Sequence, residues 1–498
     1  MKMEKIFFLC IALALPVSAA VQAGFAERDI TPGIGQERPG GYRKAFHRSF
    51  QDPCKVRAAV FTDGTRKVAI VGIDALVIHR PVVQAARAEI ARVCHIPAEA
   101  VMIAATHSHS SGPTSMVQPG EFDQASPEVR RLAYEETSVA DPGYLLRVTR
   151  EIVQAVSLAS AGCVPAELGF GYGHENQSGF NRRYRMKNGQ TWTNPGAMNP
   201  DIIDYAGPID PQVGVVGAWD VRGKLLGVVV NYASHAHSMV PGISANWIYH
   251  LERTIQGAFH APVPVIFLAG ACGDVGKKNS LSPDLRPEDR VMEIFGTRIG
   301  AEAVKVLVTA PRSAEVPLDT RSRVWRIKRR APSSETLQRA KARVAAKSKS
   351  DLAGLNDWTY AKEIVLLEHL IATQPDVEVE VQAIQVGPVA FVSNPAEYFV
   401  EYGLEIKQRS PFPFTFPVEL ANGCVGYVPT EEAFGERGGG YETRLTSYSN
   451  LEITAGRQFA DTGVALVSEM KPGPVPAWPQ VKKAEAPWPS GNVPPQRN

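Results

Sequence analysis

The chain has 498 residues, 44% hydrophobic and 21% charged, with a formal net charge of +2. That balance is ordinary for a soluble globular protein with a sizeable core. Near-neutral charge, with no basic run set among exposed aromatics, excludes nucleic acid as the expected partner.

Lys2 and Lys5 precede a short apolar run at residues 6–15, and Val21-Gln22-Ala23 fits a small-x-small cleavage pattern. Residues 1–23 are therefore expected to be a secretory signal cut near Ala23, leaving a periplasmic or secreted protein. The run falls short of the roughly 20 apolar residues a membrane span needs, and no later run is long enough. Beyond the cut stand Cys54, Cys94, Cys163, Cys272 and Cys424 without a CxxC pair, which argues against a structural zinc knuckle. The compartment permits one or two disulfides without assigning them.

Residues 56–61 and 67–73 read as strands joined at Thr62-Asp63-Gly64-Thr65, since Asp-Gly favours a tight hairpin turn. Val82, Ala86, Ile90 and Val93 have helical spacing over 81–94. The apolar run 101–106 follows as a strand. Residues 114–140 read as polar and irregular, 144–161 as a helix, and 166–172 and 213–220 as strands. Between those two strands, the Gly/Asn-rich excursion 173–211 is too long for a plain connector and reads as a functional loop. Strands are expected at 226–232 and 263–268, a helix at 287–307, a long charged helical stretch at 334–372, and paired strands at 377–386 and 389–392. The Pro-rich segment 471–498 reads as a disordered tail. There is no internal repeat.

Three of these strands end in reactive residues. Thr106-His107-Ser108-His109 closes the first, His235-Ala236-His237 the second, and Gly273-Asp274 the third. A fourth ends at Pro395-Ala396-Glu397. In a strand, residues i and i+2 share a face, so each HxH pair is expected to present two imidazoles together. Such pairs are uncommon in a chain with 11 His. Two His and a carboxylate from separate strand ends suit a catalytic zinc, which keeps one position open. Taken singly, each group has an ordinary explanation. A lone His is more often a hydrogen-bonded structural residue, Asp274 a helix or turn cap, Glu397 a solvated carboxylate, and the run Arg182, Arg183 and Arg185 a solvated face.

In chain order, Arg28-Asp29-Ile30-Thr31-Pro32-Gly33, Thr106-His107-Ser108-His109, Asn181-Arg182, His235-Ala236-His237-Ser238-Met239, Gly273-Asp274-Val275, Pro395-Ala396-Glu397 and Tyr427-Val428-Pro429-Thr430-Glu431-Glu432 resemble the neutral/alkaline, non-lysosomal ceramidases. Those enzymes are zinc amidases of ceramide. The resemblance implies a mixed α/β (α+β) fold: one large catalytic domain over 24–470, with mixed β-sheets, flanking helices and a metal site at strand ends. It implies one zinc per chain, held by His107, His235, Glu397 and Tyr427. Arg182 and Tyr441 are implied beside the reacting amide, and His109 as a residue that holds substrate or orients the site. The implied substrate is a small-molecule N-acyl amide or lipid, reached with transient membrane-surface contact and cleaved by zinc-activated water.

The sequence also departs from the family. Gly276 stands where the family has a serine near the ceramide headgroup, so the nucleophile is expected to be water and the substrate to differ. Ser111 lengthens the loop after the first His pair, and the family's C-terminal β-sandwich domain is not expected here. The alternatives are a zinc hydrolase of a non-ceramide amide or ester, and a non-catalytic binding protein on the same scaffold. A dinuclear amidohydrolase would need eight regular βα units, and the alternation here is too irregular for that.

Overall fold

Clustered β-branched residues build the strands, and the computed structural model describes residues 20–237, 242–283, 287–348, 351, 355–482, 495 and 497. The main sheet uses β1 (Gln22–Asp29), β2 (Lys55–Thr62), β3 (Lys67–Ile73), β4 (Val101–Ala105), β5 (Val164–His174), β6 (Gln212–Asp220), β7 (Leu225–Tyr232) and β8 (Val265–Ala269). Their order is β8-β7-β6-β5-β1-β2-β3-β4, with Arg312–Ser313 as a ninth strand beside β5. The outermost pairs, β7–β8 and β3–β4, are parallel; the inner pairs are antiparallel.

The sheet curls until its two ends approach. A Cβ on Gly72 of β3 would lie 2.7 Å from the Phe267 carbonyl oxygen of β8, so only glycine admits this approach. The carboxyl ends of both parallel pairs thereby meet, as ligand-binding edges do in α/β sheets. A second sheet, β9 (Leu318–Lys328), β10 (Asp376–Val386), β11 (Val389–Ser393) and β12 (Phe414–Val418), runs in that order, with β11 and β12 parallel. Residues 419–422 stitch it to the first sheet. Glu419 N donates to Ala269 O at 2.9 Å, Ala105 N to Leu420 O at 3.1 Å, and Asn422 N to Ile103 O at 2.8 Å.

Nine helices are described: α1 (Arg80–Cys94), α2 (Pro127–Tyr134), α3 (Pro142–Ala161), α4 (Trp247–Phe259), α5 (Glu288–Thr309), α6 (Ser334–Ala345), α7 (Asp357–Thr373), α8 (Val400–Arg409) and α9 (Ala455–Ser468). The largest core cluster joins the first four strands to α1 and α3 through fully buried Val60, Ile70, Ile90, Ile103 and Ile152. Each such side chain contributes about 1.5–3 kcal/mol of transfer free energy.

Several expectations change. The stretch 114–140 is not wholly irregular: Ser126 caps α2, with its side chain accepting from Val129 N, and Pro127 starts the helix. The single helical stretch expected over 334–372 is two helices, because Asn356 caps a fresh start at α7. The strands β1, β9 and β12 and the helices α4, α8 and α9 were not anticipated. Most of the expected signal segment lies outside the described residues. Its end does not: Gln22 and Ala23 pair with Pro165 and Val164 of β5, and Val21 N donates to Ala314 O at 2.9 Å. A cut after Ala23 would strip these bonds from the sheet. The start of the expected tail is also bonded to the body, through Lys471 O, Gly473 N and Trp478 Nε1. Residues 483–494 lie outside the described residues. The five cysteines among the described residues are free. Among the described residues, no helix is long and apolar enough to cross a membrane.

Candidate active site

The two histidine pairs meet where the curled sheet brings β4 and β7 together. The strand reading of His107 changes in detail: β4 stops at Ala105, and His107 takes the left-handed conformation, with φ of 63°. The HxH still delivers two neighbouring rings, His107 and His109, with centroids 4.7 Å apart. His235 lies against them, its ring centroid 4.5 Å from that of His107. One donor atom from each of these three residues falls within 4.8 Å of the others.

Backbone carbonyls fix the two inner rings. His107 Nδ1 donates to Leu76 O at 2.9 Å, and His235 Nδ1 donates to Cys272 O at 2.7 Å. Both Nε2 atoms are therefore the free, inward nitrogens, the orientation that outer-shell partners impose on metal-ligating imidazoles. Each lies 3.2 Å from Glu397 Oε2. Glu397 reaches this point on a two-residue strand paired in parallel with Tyr427–Val428, which sets Tyr427 beside it. Two imidazole nitrogens and a carboxylate oxygen, with a phenol beside them, are a donor set that could hold a metal ion. Tyr427 Oη is 3.2 Å from Tyr441 Oη.

Arg182 arrives from the long excursion, directly after a short strand (Phe180–Asn181) paired with Val275–Gly276. It is 6% exposed, which removes the solvated-face reading; Arg185 is the exposed member of that run. Its Nε donates to Glu442 Oε1 at 3.0 Å and its Nη2 to Gly273 O at 2.6 Å. The guanidinium carbon lies 5.5 Å and 5.2 Å from the ring centroids of Tyr427 and Tyr441. All seven residues expected at the site thus converge.

Over 236 residues, 45% of its length, the chain is 27% identical to the neutral ceramidase of Pseudomonas aeruginosa (strain PAO1), and the match spans 31% of that protein. A solved structure described as a ceramidase complexed with C2 superposes with a TM-score of 0.64 at 18% identity, covering 93% of this chain and 77% of the other. The crystal structure of neutral ceramidase from Pseudomonas aeruginosa gives 0.62 at 19%, with the same coverage. No family model matches the chain. The chain is neutral-ceramidase-like over part of its length.

The electrostatics of this site keep most of its imidazoles neutral. Burial pulls His235 down to about 3, and the Arg182 charge adds to the effect. Burial also drives His109 well down, reinforced by His237 and His107. For His107, burial again pulls down, but the charge and hydrogen bond of Glu397 raise it more. Burial pushes the Glu397 carboxyl up, yet His107 and His235 together hold it well below the usual range. A neutral His235 and an ionised Glu397 are the protonation states a metal requires, and His107, raised by Glu397, would release its proton on metal binding.

His109 occupies the outer side. Its Nδ1 donates to Gly40 O at 3.2 Å and its Nε2 lies 3.2 Å from His107 Nε2. Gly40 has φ of 105°, and a Cβ there would meet His109 Nδ1 at 2.5 Å, so this contact needs glycine. Three groups had no assigned role in the sequence reading. His237, the other half of the second HxH, meets His109 edge to face with centroids 4.5 Å apart. Glu442, next to Tyr441 in the sequence, holds Arg182. Glu419, a charge at the end of the apolar run Phe414–Val418, is fully buried behind the ligands. Asp274 proves structural: its carboxylate accepts from Val400 N, capping α8, and from Asn181 Nδ2. A depression of about 590 Å³, lined by Trp192, Asn194, Gly440, Tyr441 and Arg444 among others, opens onto Tyr441.

Proposed function

We propose that this chain is a secreted, zinc-dependent amidohydrolase that cleaves the amide bond of an N-acyl, ceramide-like lipid. The observation that carries the reading is the meeting of His107 Nε2 and His235 Nε2 at Glu397 Oε2, 3.2 Å from each. His107, His235, Glu397 and Tyr427 would hold one zinc ion. When bound, zinc would polarise the amide carbonyl and acidify water.

The chain's own residues supply the rest. Leu76 O and Cys272 O hold the two imidazoles in the tautomer with a free Nε2. Arg182 is a fixed cation for the charge that develops on the carbonyl oxygen during attack, and its rigidity makes it effective. The Tyr441 hydroxyl is kept protonated by burial, which raises its pKa above the usual phenol range, so it can donate to that same oxygen. His109, anchored by Gly40, orients the substrate side. The depression beside Tyr441, with Trp192 half exposed at its rim, is where a lipid amide would approach Tyr441.

Gly276 favours a second substrate reading. Its position offers no hydroxyl to a sphingoid headgroup, so a simpler N-acyl amide or ester is the alternative substrate. The test measures metal content and hydrolysis of a fluorogenic N-acylsphingosine, before and after exhaustive chelation. One zinc per chain, with activity lost on chelation and restored by zinc, is the expected result. Hydrolysis that survives complete metal removal overturns the metal mechanism. Absence of both metal and hydrolysis of any N-acyl amide or ester tested makes the chain a non-catalytic binding scaffold.

A further inference from the structure

Behind the ligands, one carboxylate touches the segments that carry two of them. Glu419 is fully buried. Its Oε2 accepts from Cys272 N and from Tyr398 N, each at 2.9 Å, and its Oε1 accepts from Cys272 Sγ at 2.9 Å. Cys272 supplies the carbonyl that fixes His235, and Tyr398 directly follows Glu397. The two segments are also joined to each other, because Gly273 N donates to Tyr398 O at 2.8 Å. The backbone around Glu419 completes the junction. Leu420 takes a left-handed conformation with φ of 50°, donates to Ala396 O at 3.1 Å, and accepts from Ala105 N, two residues before His107.

We infer that Glu419 is a positioning residue that sets the distance and angle between the His235 and Glu397 donors by clamping Cys272 N and Tyr398 N to one carboxylate oxygen. The inference rests on the metal-site reading above. A single oxygen that receives two backbone N–H groups fixes both strand ends at once, which neither ligand can do for itself. Removing it would leave two buried N–H donors unpaired, and each segment would relax separately. Glutamine keeps one such oxygen and can turn its amide toward Cys272 Sγ, a weak acceptor. Aspartate keeps the charge but is one methylene short of the two N–H groups. The clamp therefore predicts that reach matters and charge does not.

Chelator-treated parent, E419Q, E419D and E419A are titrated with cobalt(II), whose visible absorption reports the ligand field, and affinity is measured by competition with a chromophoric chelator. Circular dichroism confirms folding. Loss of an outer-shell partner lowers metal affinity about 10–100-fold. E419D and E419A are expected in that range, with a shifted cobalt spectrum, and E419Q within about threefold of the parent on that same scale. Should E419A fail to fold, E419D carries the test. Parental affinity and spectrum in E419D overturn the inference, as does an E419Q that behaves like E419D. A parent that takes up no cobalt overturns the functional reading, and the inference with it.

Discussion

Replacing Glu442 by glutamine asks whether Arg182 is held in the site as a paired buried charge. Arg182 is 6% exposed and Glu442 0% exposed, and Arg182 Nε lies 3.0 Å from Glu442 Oε1. Stripping a buried cation of its carboxylate costs about 3–5 kcal/mol. The glutamine carbonyl retains one neutral hydrogen bond, worth about 1 kcal/mol. The Gly273 carbonyl and the two tyrosine faces are present before and after, so they cancel. The expected loss for E442Q is therefore about 2–4 kcal/mol, read from urea unfolding of parent and variant. The double variant R182M/E442Q removes both charges and keeps comparable volume. It should be more stable than E442Q alone, because the unpaired guanidinium is gone, and that reversal of sign marks a buried ion pair. A loss below about 1 kcal/mol in E442Q, or a double variant less stable than the single one, would refute the reasoning.

The pH dependence of stability should trace in part to Glu401, whose carboxyl burial pushes up to about 7, with Asp274 and Glu432 adding to the rise. A folded-state pKa above the unfolded one gives stability at low pH that is lost as pH rises from the unfolded value toward 7. E401Q should therefore gain in melting temperature relative to the parent between pH 5 and pH 8, and a constant difference would contradict this. Gly276→Ser should fold normally, since a Cβ there meets only Arg182 Cδ, at 3.6 Å. Its unfolding free energy should stay within about 1 kcal/mol of the parent. Its kcat/KM should rise for N-acylsphingosine relative to an N-acyl amine without hydroxyls; an unchanged ratio would show that position 276 does not face the headgroup. N-terminal sequencing of secreted protein should find a cut upstream of Val21, where Ser18-Ala19-Ala20 also fits small-x-small. A mature chain starting at Gly24 would show that the Val21 and Gln22 pairings are dispensable.

Much of the fold was legible because its signals are local. The strand β3 falls where its apolar run and the Asp-Gly turn place it, and α1 follows its helical spacing. The strand β1 was hidden because its residues also satisfy a signal-cleavage pattern, and the two demands cannot be separated by composition. The break between α6 and α7 depends on a cap at Asn356, and the poor helix formers that mark it in the sequence, Ser348, Gly354 and Asn356, were read through as part of one Ala/Leu-rich helical stretch. Within the site, His107, His235 and Glu397 were marked by their places at strand ends, and Tyr427, Tyr441 and Arg182 by motif order. Glu442 was not marked, since a Glu beside an active-site tyrosine reads as solvated until Arg182 is seen against it. Glu419 was not marked either, since its importance lies in three contacts made to distant segments.

The sequence by itself determined which segments end in chemistry: two HxH pairs after apolar runs, a carboxylate after another, and a glycine at 276. Those facts follow from residue type and from the fixed periods of strand and helix. The tertiary structure alone decided that the sheet curls, so that β4 and β7 finish side by side, and that residues 419–422 bind the second sheet's edge to them. It alone decided which imidazole nitrogen points inward, because backbone carbonyls at Leu76 and Cys272 hold the other one. Convergence of this kind depends on strand twist, glycine contacts and long-range hydrogen bonds, none of which has a period in the chain.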